Sequence, residues 1–402
     1  MSARYLVKLG RCSYCYAKGR QLHEASPHMK NTLTFTEQHD ELRQTVKKVI
    51  ENDVNPYADQ WENERCFPIK DVYRKFANAG LLGIMTKIEN GGLGLDYSYK
   101  VAYIETLKDI NCISIPFSIL ASDIAIEGLS KFGNQEQKKE FLSPSLRGER
   151  ISCIGIREDS DVNNTAMRTG DDLILNGRIM WVTNGAQADW MLVLANTSKG
   201  DPQLSKSLIC VPLDIKGISC SKLQLMGTPV CSTSQFLFHN VKVPTKNIIG
   251  EEGMGYKYLK GMLQDERLSI SVYVFSILER IIEMTADHSK QQDYGPLIDN
   301  KIVQYSLAEL QTEIEAFRSL VYRTIAQKMK GEDYEVLVSM TKLIGGRLAR
   351  KVTDDCLQYW GAIGVSDESL IGRFYRDCRP LSTIGGTDEL MLRSISKHMC
   401  NF

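Results

Sequence analysis

The 402-residue chain balances 49 Lys and Arg against 49 Asp and Glu and is 43% hydrophobic, an ordinary globular make-up with room for two or three domains. Zero net charge excludes a dedicated nucleic-acid binder, and the lack of any apolar run of about 18 residues excludes a membrane span. The 11 cysteines are odd in number and scattered through apolar segments, which fits reduced thiols better than a disulfide framework.

Residues 1–28 carry five basic side chains (Arg4, Lys8, Arg11, Lys18, Arg20) against one acid, Glu24, the bias of a targeting or disordered segment. Cys12 and Cys15 form a C-x-x-C there, but His23 follows after only seven residues where a zinc finger leaves about 12, so no metal site is expected. Residues 29–150 read as a helical domain. Leu42, Val46 and Ile50 recur every four residues after Thr36, a plausible N-cap, and further amphipathic runs cover 72–82 and 101–107. The stretch Asn90-Gly91-Gly92-Leu93-Gly94 is a loop, since it lacks the third glycine and the preceding strand of a dinucleotide fingerprint.

Residues 151–252 switch to short β-rich runs at 173–175, 179–183, 191–195, 208–211 and 236–243, punctuated by Asn176-Gly177, Asn184-Gly185 and Lys216-Gly217. Without alternating helices they suggest a small barrel or sandwich. Residues 253–402 return to helix. Val303, Leu307, Leu310, Ile314, Phe317, Val321, Ile325 and Met329 step by three or four, as do Leu337, Met340, Ile344, Leu348 and Val352, the pattern of a helical bundle. The expected architecture is mainly α with a β insert: helical domain, central β-barrel or sandwich, then a four-helix bundle.

One charge is out of place. In the helix after Gly255 the apolar row runs Leu259, Met262, Ile270, Val274, Ile277 and Ile281, and Glu266 sits on that row. A carboxylate there is either paired with a cation or held protonated by a raised pKa, ready to accept a proton. The surrounding motifs carry a resemblance. Gly250-Glu251-Glu252-Gly253-Met254-Gly255-Tyr256 precedes Gln264-Asp265-Glu266-Arg267, and Met180-Trp181-Val182-Thr183-Asn184-Gly185, Phe238-His239-Asn240-Val241-Lys242-Val243-Pro244, Asp355-Cys356-Leu357-Gln358-Tyr359-Trp360-Gly361 and Ile384-Gly385-Gly386-Thr387-Asp388-Glu389 stand in order around them. Over about residues 33–399 the chain resembles the acyl-CoA dehydrogenase family, and is most similar to its long-chain branch.

The resemblance implies FAD-dependent α,β-dehydrogenation of an acyl-CoA thioester, with long-chain acyl groups favoured. Most members place their base where this chain has Gly385. The long-chain and isovaleryl branches carry it on the earlier helix, at the position of Glu266. The resemblance then gives Glu266 as base, in an apolar acyl pocket expected to raise its pKa, and the Gly385 N–H as a donor to the thioester oxygen. It gives Trp181, Thr183, Tyr294, Gln358, Gly361, Thr387 and Glu389 to FAD, and Ser160, Arg267 and Gly386 to the substrate. Electron transfer flavoprotein is the implied acceptor, a homodimer or homotetramer the implied assembly, and the mitochondrial matrix the implied location. Departures include Arg157-Glu158-Asp159-Ser160-Asp161 where the family has a longer glycine-rich loop, Gln291 in place of an arginine, Lys301 in place of a glutamine, and Ala362 in place of a second glycine. Two other readings therefore stay open: a catalytically weak paralogue that binds acyl-CoA or a protein, and an isovaleryl-type short branched-chain enzyme.

Overall fold

The computed structural model describes residues 34–156, 164–201, 204–290 and 296–400. The 1–28 segment with its C-x-x-C, Ser160, Gln291 and Tyr294 lie outside the described residues. The longer helices ahead of the sheet are α1 (Glu37–Val49), α2 (Ala58–Glu64), α3 (Ile69–Asn78), α4 (Tyr97–Thr106) and α5 (Ser114–Phe132). Thr36 stands at the N-cap of α1, and its backbone N–H donates to His39 Nδ1 at 3.0 Å. The run 90–94 is indeed loop, and a Cβ on Gly92 would fall 2.2 Å from the Thr86 carbonyl oxygen.

Seven strands follow, β1 (Ser152–Gly155), β2 (Thr165–Thr169), β3 (Asp172–Val182), β4 (Trp190–Asn196), β5 (Lys206–Pro212), β6 (Ile218–Lys222) and β7 (Ser234–Pro244). They form one curled sheet in the order β1-β4-β2-β3-β7-β6, with β5 also paired to β4. Most pairs are antiparallel, while β1 and β2 run parallel to β4. The expected turn at Asn176-Gly177 does not form. Those residues continue β3 through a bulge, where Gly177 takes φ +151° and a Cβ would lie 2.1 Å from Asn164 Oδ1.

The chain ends in α6 (Gly255–Ser289), α7 (Lys301–Met329), α8 (Glu335–Tyr359), α9 (Leu370–Cys378) and α10 (Asp388–Cys400). Helix α6 is the axis of the molecule. Every residue from Leu268 to Glu279 is buried, because α4 and α5 pack on one side and α7 and α8 on the other. The α7 row is buried as expected as far as Ile325, but Met329 is 45% exposed. On α8 the expected row is buried at Leu348 and Val352, but Ile344 is 41% exposed, and Val338, Lys342, Gly345 and Ala349 face inward instead. A second core joins Ile124 and Leu129 of α5 to Trp190 and Leu208 of the sheet and to Leu259 and Met262 of α6, which fixes the sheet against the base of the bundle.

Candidate active site

Met262 and Ile270 are 4% and 3% exposed, so the row carrying Glu266 does face the interior. Glu266 itself is half-buried, and its carboxylate makes no hydrogen bond or ion pair with any described residue. Burial pushes its pKa up to about 7, with the Arg267 and Lys342 charges opposing the rise. An acid of this kind is mostly protonated at pH 6 and mostly ionised at pH 8, the range a general base needs.

Arg267, next on the helix, does not neutralise it. The guanidinium turns away, and Nε donates to the Gly385 carbonyl at 2.8 Å. Gly385 and Gly386 form the turn before α10 with φ of +69° and +118°, conformations that favour glycine. The Gly385 N–H donates to no described residue, leaving a backbone donor free on the turn that packs against Ile270 and Arg267 of α6. A Cβ at 385 would approach Ile270 Cδ1 to 3.0 Å, so the turn presses closely on α6. Lys342 of α8, which sequence reasoning missed, clamps the same turn. Its ammonium is buried and donates at 2.9 Å to both the Leu381 and the Gly386 carbonyls. Burial lowers its pKa to about 8, against the pull of Asp388 and Glu266. Glu266, Arg267, Gly385 and Gly386, expected from sequence, therefore meet in one place.

Trp181 and Thr183 lie apart from that cluster, at the end of β3. Trp181 has φ +64° and is 52% exposed, while the half-buried Thr183 hydroxyl has no partner among the described residues. Asn184, also missed as a site residue, ties this segment to α5: Nδ2 donates to the Ser118 carbonyl at 2.9 Å and to Ser122 Oγ at 3.2 Å. Helix α5 thus links the Trp181 lip to the Glu266 cluster, because Leu120, Asp123 and Ile124 of the same helix line the crevice beside Glu266. An exposed indole on a strained strand end, next to an unengaged hydroxyl, is a surface that a planar ring could cover and hydrogen-bond. The other described FAD candidates sit elsewhere on the helical part. Gln358 and Gly361 are exposed at the end of α8, where Gly361 has φ +58° and open space around it. Thr387 acts at the start of α10, its Oγ accepting from the Leu390 N–H at 3.4 Å, and Glu389 is exposed beside it.

The crevice beside Glu266 is lined by apolar and charged side chains together. Leu120, Ile124 and Met262 contribute apolar surface, but Lys100, Asp123, Glu127, Asp265 and Ser269 share the lining. Burial accounts for the raised Glu266 pKa. Among the described residues no group of His, Cys, Asp and Glu could hold a metal, and no helix is long and apolar enough to cross a membrane.

Comparison with known proteins matches all three parts of the chain to one family: the acyl-CoA dehydrogenase N-terminal domain over residues 36–149, the middle domain over 157–241 and the C-terminal domain over 253–400. Pig mitochondrial long-chain specific acyl-CoA dehydrogenase is 31% identical over 410 residues, spanning 98% of this chain and 95% of its own. Rat mitochondrial short-chain specific acyl-CoA dehydrogenase is 27% identical over 378 residues, spanning 92% and 91%. The crystal structure of acyl-CoA dehydrogenase from Geobacillus kaustophilus has a TM-score of 0.87 at 30% identity, covering 92% of this chain and 100% of that one.

Proposed function

The chain belongs to the acyl-CoA dehydrogenase family, and on that premise we propose that it oxidises an acyl-CoA thioester with Glu266 as the base for the α-proton. The observation that carries this is the Glu266 carboxylate: set on a buried row, unpartnered among the described residues, and poised near neutral pH on the helix that the Gly385 turn packs against. Members of the family bind FAD. When bound, FAD accepts the two electrons that leave with the β-hydrogen.

The protein's own part is positional. Arg267 and Lys342 fix the 381–386 turn through its carbonyls, so that the Gly385 N–H can stabilise the enolate-like oxygen that forms as the α-proton leaves. Trp181 and Thr183 would hold the flavin ring, with Tyr294, Gln358, Gly361, Thr387 and Glu389 toward the rest of FAD and Ser160 and Gly386 toward the thioester. Placing the base on α6 opposite Gly385 is the layout of the long-chain branch, shared with the isovaleryl one. That layout would send the proton to Glu266 and leaves the acyl length open, since long-chain and short-chain relatives are almost equally similar. The same reading takes units at 29–150, 151–252 and 253–402, with 1–28 as a targeting segment to the mitochondrial matrix, electron transfer flavoprotein as acceptor, and a homodimer or homotetramer. The apolar side chains left exposed near the Gln358–Gly361 end, Ile363 at 57% and Val365 at 73%, support self-association.

The ionic lining of the crevice favours a second reading, a weak paralogue that binds acyl-CoA without turning it over. The absorption spectrum of the purified protein separates the two. A bound yellow flavin bleached anaerobically by an acyl-CoA is the expected result, whereas a colourless protein that resists FAD reconstitution supports the binder.

A further inference from the structure

The strand end that carries Trp181 and Thr183 is strained, and so is the turn that supports it. Of the six described residues other than glycine with left-handed φ, four lie in these two stretches: Trp181 and Asn184 in one, Thr228 (φ +52°) and Ser232 (φ +49°) in the other. A β-branched residue such as Thr228 avoids that conformation unless its surroundings impose it. Hydrogen bonds join the two stretches. The Asn184 N–H donates to the Cys231 carbonyl at 2.9 Å, the Ala186 N–H reaches the Ser232 carbonyl at 3.4 Å, and Gln187 Nε2 donates to Ser232 Oγ at 2.9 Å.

The 228–232 turn is itself pressed into the helical part. Val230 and Cys231 are buried in the helical core, and the Cys231 thiol donates to the Ser114 carbonyl at the start of α5 at 2.9 Å. A Cβ on Gly227 would fall 2.1 Å from the Arg376 carbonyl oxygen, so the backbone entering the turn lies directly on α9. There Asp377, 1% exposed, accepts the Thr228 N–H at 2.5 Å through Oδ1. Its Oδ2 has no partner among the described residues, and the two arginines of its helix are engaged elsewhere, Arg373 with Asp59 and Arg376 with Asp367. Burial, then the Glu62 carboxylate of α2, pushes the Asp377 pKa up to about 7 against the Thr228 bond and those arginines. The group is therefore held for the hydrogen bond to Thr228 rather than for an ion pair.

Helix α9 ends at Cys378 and leads directly into the 381–386 turn that carries the Gly385 N–H. Asp377 thus stands between the two halves of the site. Resting on the reading of Glu266 as the base and of Trp181 and Thr183 as the flavin lip, we propose that Asp377 is a positioning residue that sets the spacing between them. Its bond to Thr228 holds the strained turn, the turn holds Asn184, and Asn184 holds the lip in register with Gly385. Proton abstraction draws only on α6 and the 381–386 turn, whereas hydride transfer also needs the lip in place, so loss of Asp377 separates the two halves of the reaction.

The test compares Asp377→Leu, which removes the acceptor, with Asp377→Asn, which keeps one, in the FAD-loaded protein with whichever of butyryl-CoA and palmitoyl-CoA bleaches the parent faster. In Asp377→Leu the FAD dissociation constant, read by fluorescence titration, is expected to rise about tenfold or more, and flavin reduction at saturating FAD to slow by about as much. Exchange of the substrate α-hydrogen with D₂O is expected to stay within about twofold of the parent, and Asp377→Asn to stay within about threefold on every measure. A lower melting temperature with unchanged FAD affinity, or exchange and reduction slowed together, is what a merely structural role gives, and either overturns the proposal. Should Asp377→Leu not fold, amide hydrogen exchange of the parent decides: residues 181–187 and 226–234 are expected to open at a common rate, and independent opening overturns the proposal. A parent protein that binds FAD yet neither exchanges the α-hydrogen nor bleaches overturns the dehydrogenase reading itself.

Discussion

Half-buried Glu266 and buried Lys342 are charges of opposite sign held near each other and kept from pairing, and that separation has consequences for pH. The Glu266 pKa of about 7 means proton abstraction strengthens as pH rises through neutrality, and the Lys342 pKa of about 8 means the clamp on the 381–386 turn weakens above it. The rate of flavin reduction is expected to be bell-shaped, rising through pH about 7 and falling above about 8; a profile flat from pH 6 to 9 would count against both assignments. The same raised pKa has a sign in stability. The folded state holds the Glu266 proton more tightly than the unfolded chain does, so the group's contribution worsens as pH climbs from about 4.5 to 7 and stays unfavourable above that. Glu266→Gln is therefore expected to melt higher than the parent at pH 8 and at the same temperature near pH 4, measured by calorimetry. Glu266 was legible in the sequence because a carboxylate interrupted an apolar row. Lys342, on the row Val338 to Ala349, and Lys100, between Tyr97 and Ile104, carry the same signal. A lysine on an apolar row is ordinarily read as a stem that snorkels to solvent, so the signal passed unread.

At the level of elements, the site depends on how the end of β3 is pinned to α5. Asn184 at φ +67° makes two buried bonds to α5 that no other side chain at that position reproduces. Asn184→Ala is expected to destabilise the protein by about 2–3 kcal/mol, from two lost bonds and a left-handed residue without its stabilising side chain. It is also expected to weaken flavin retention, read by gel filtration and absorbance; unchanged stability and flavin content would show the strand end is held by other means. Helices α1, α3 and α7 were readable from apolar periodicity because each buries one stripe, whereas α5, buried nearly all round, was not. Strands β3, β4, β5 and β7 were readable as runs, whereas β1, β2, β6 and the topology were not. Asn176-Gly177 has the composition of a turn, yet the collision any Cβ at 177 would make with Asn164 shows that glycine serves close packing within a continuous strand. The exposure of Ile344 was missed because it looked like core until the packing of α8 against α6 and the 381–386 turn was known.

For the whole molecule, α6 makes the central β sheet and both helical parts one unit: it packs on α4 and α5, on α7 and α8, and through Leu259 and Met262 on the sheet. The order helices, β insert, helices was evident in the sequence, as were the motifs on which the family resemblance rests. The character of the crevice was not, because Lys100, Asp123 and Glu127 come from two helices and meet Asp265 and Glu266 of a third. Chain association is expected to appear in analytical ultracentrifugation as dimer or tetramer, with a stable monomer as the contrary result. The most direct measurement of the central claim is exchange of the acyl-CoA α-hydrogen with D₂O, followed by mass spectrometry for the parent and Glu266→Gln holoenzymes. Deuterium should enter the α-carbon with the parent and about 10²- to 10⁴-fold more slowly with the variant, flavin content being equal. Exchange that proceeds undiminished without the carboxylate would contradict the assignment of Glu266 as the base.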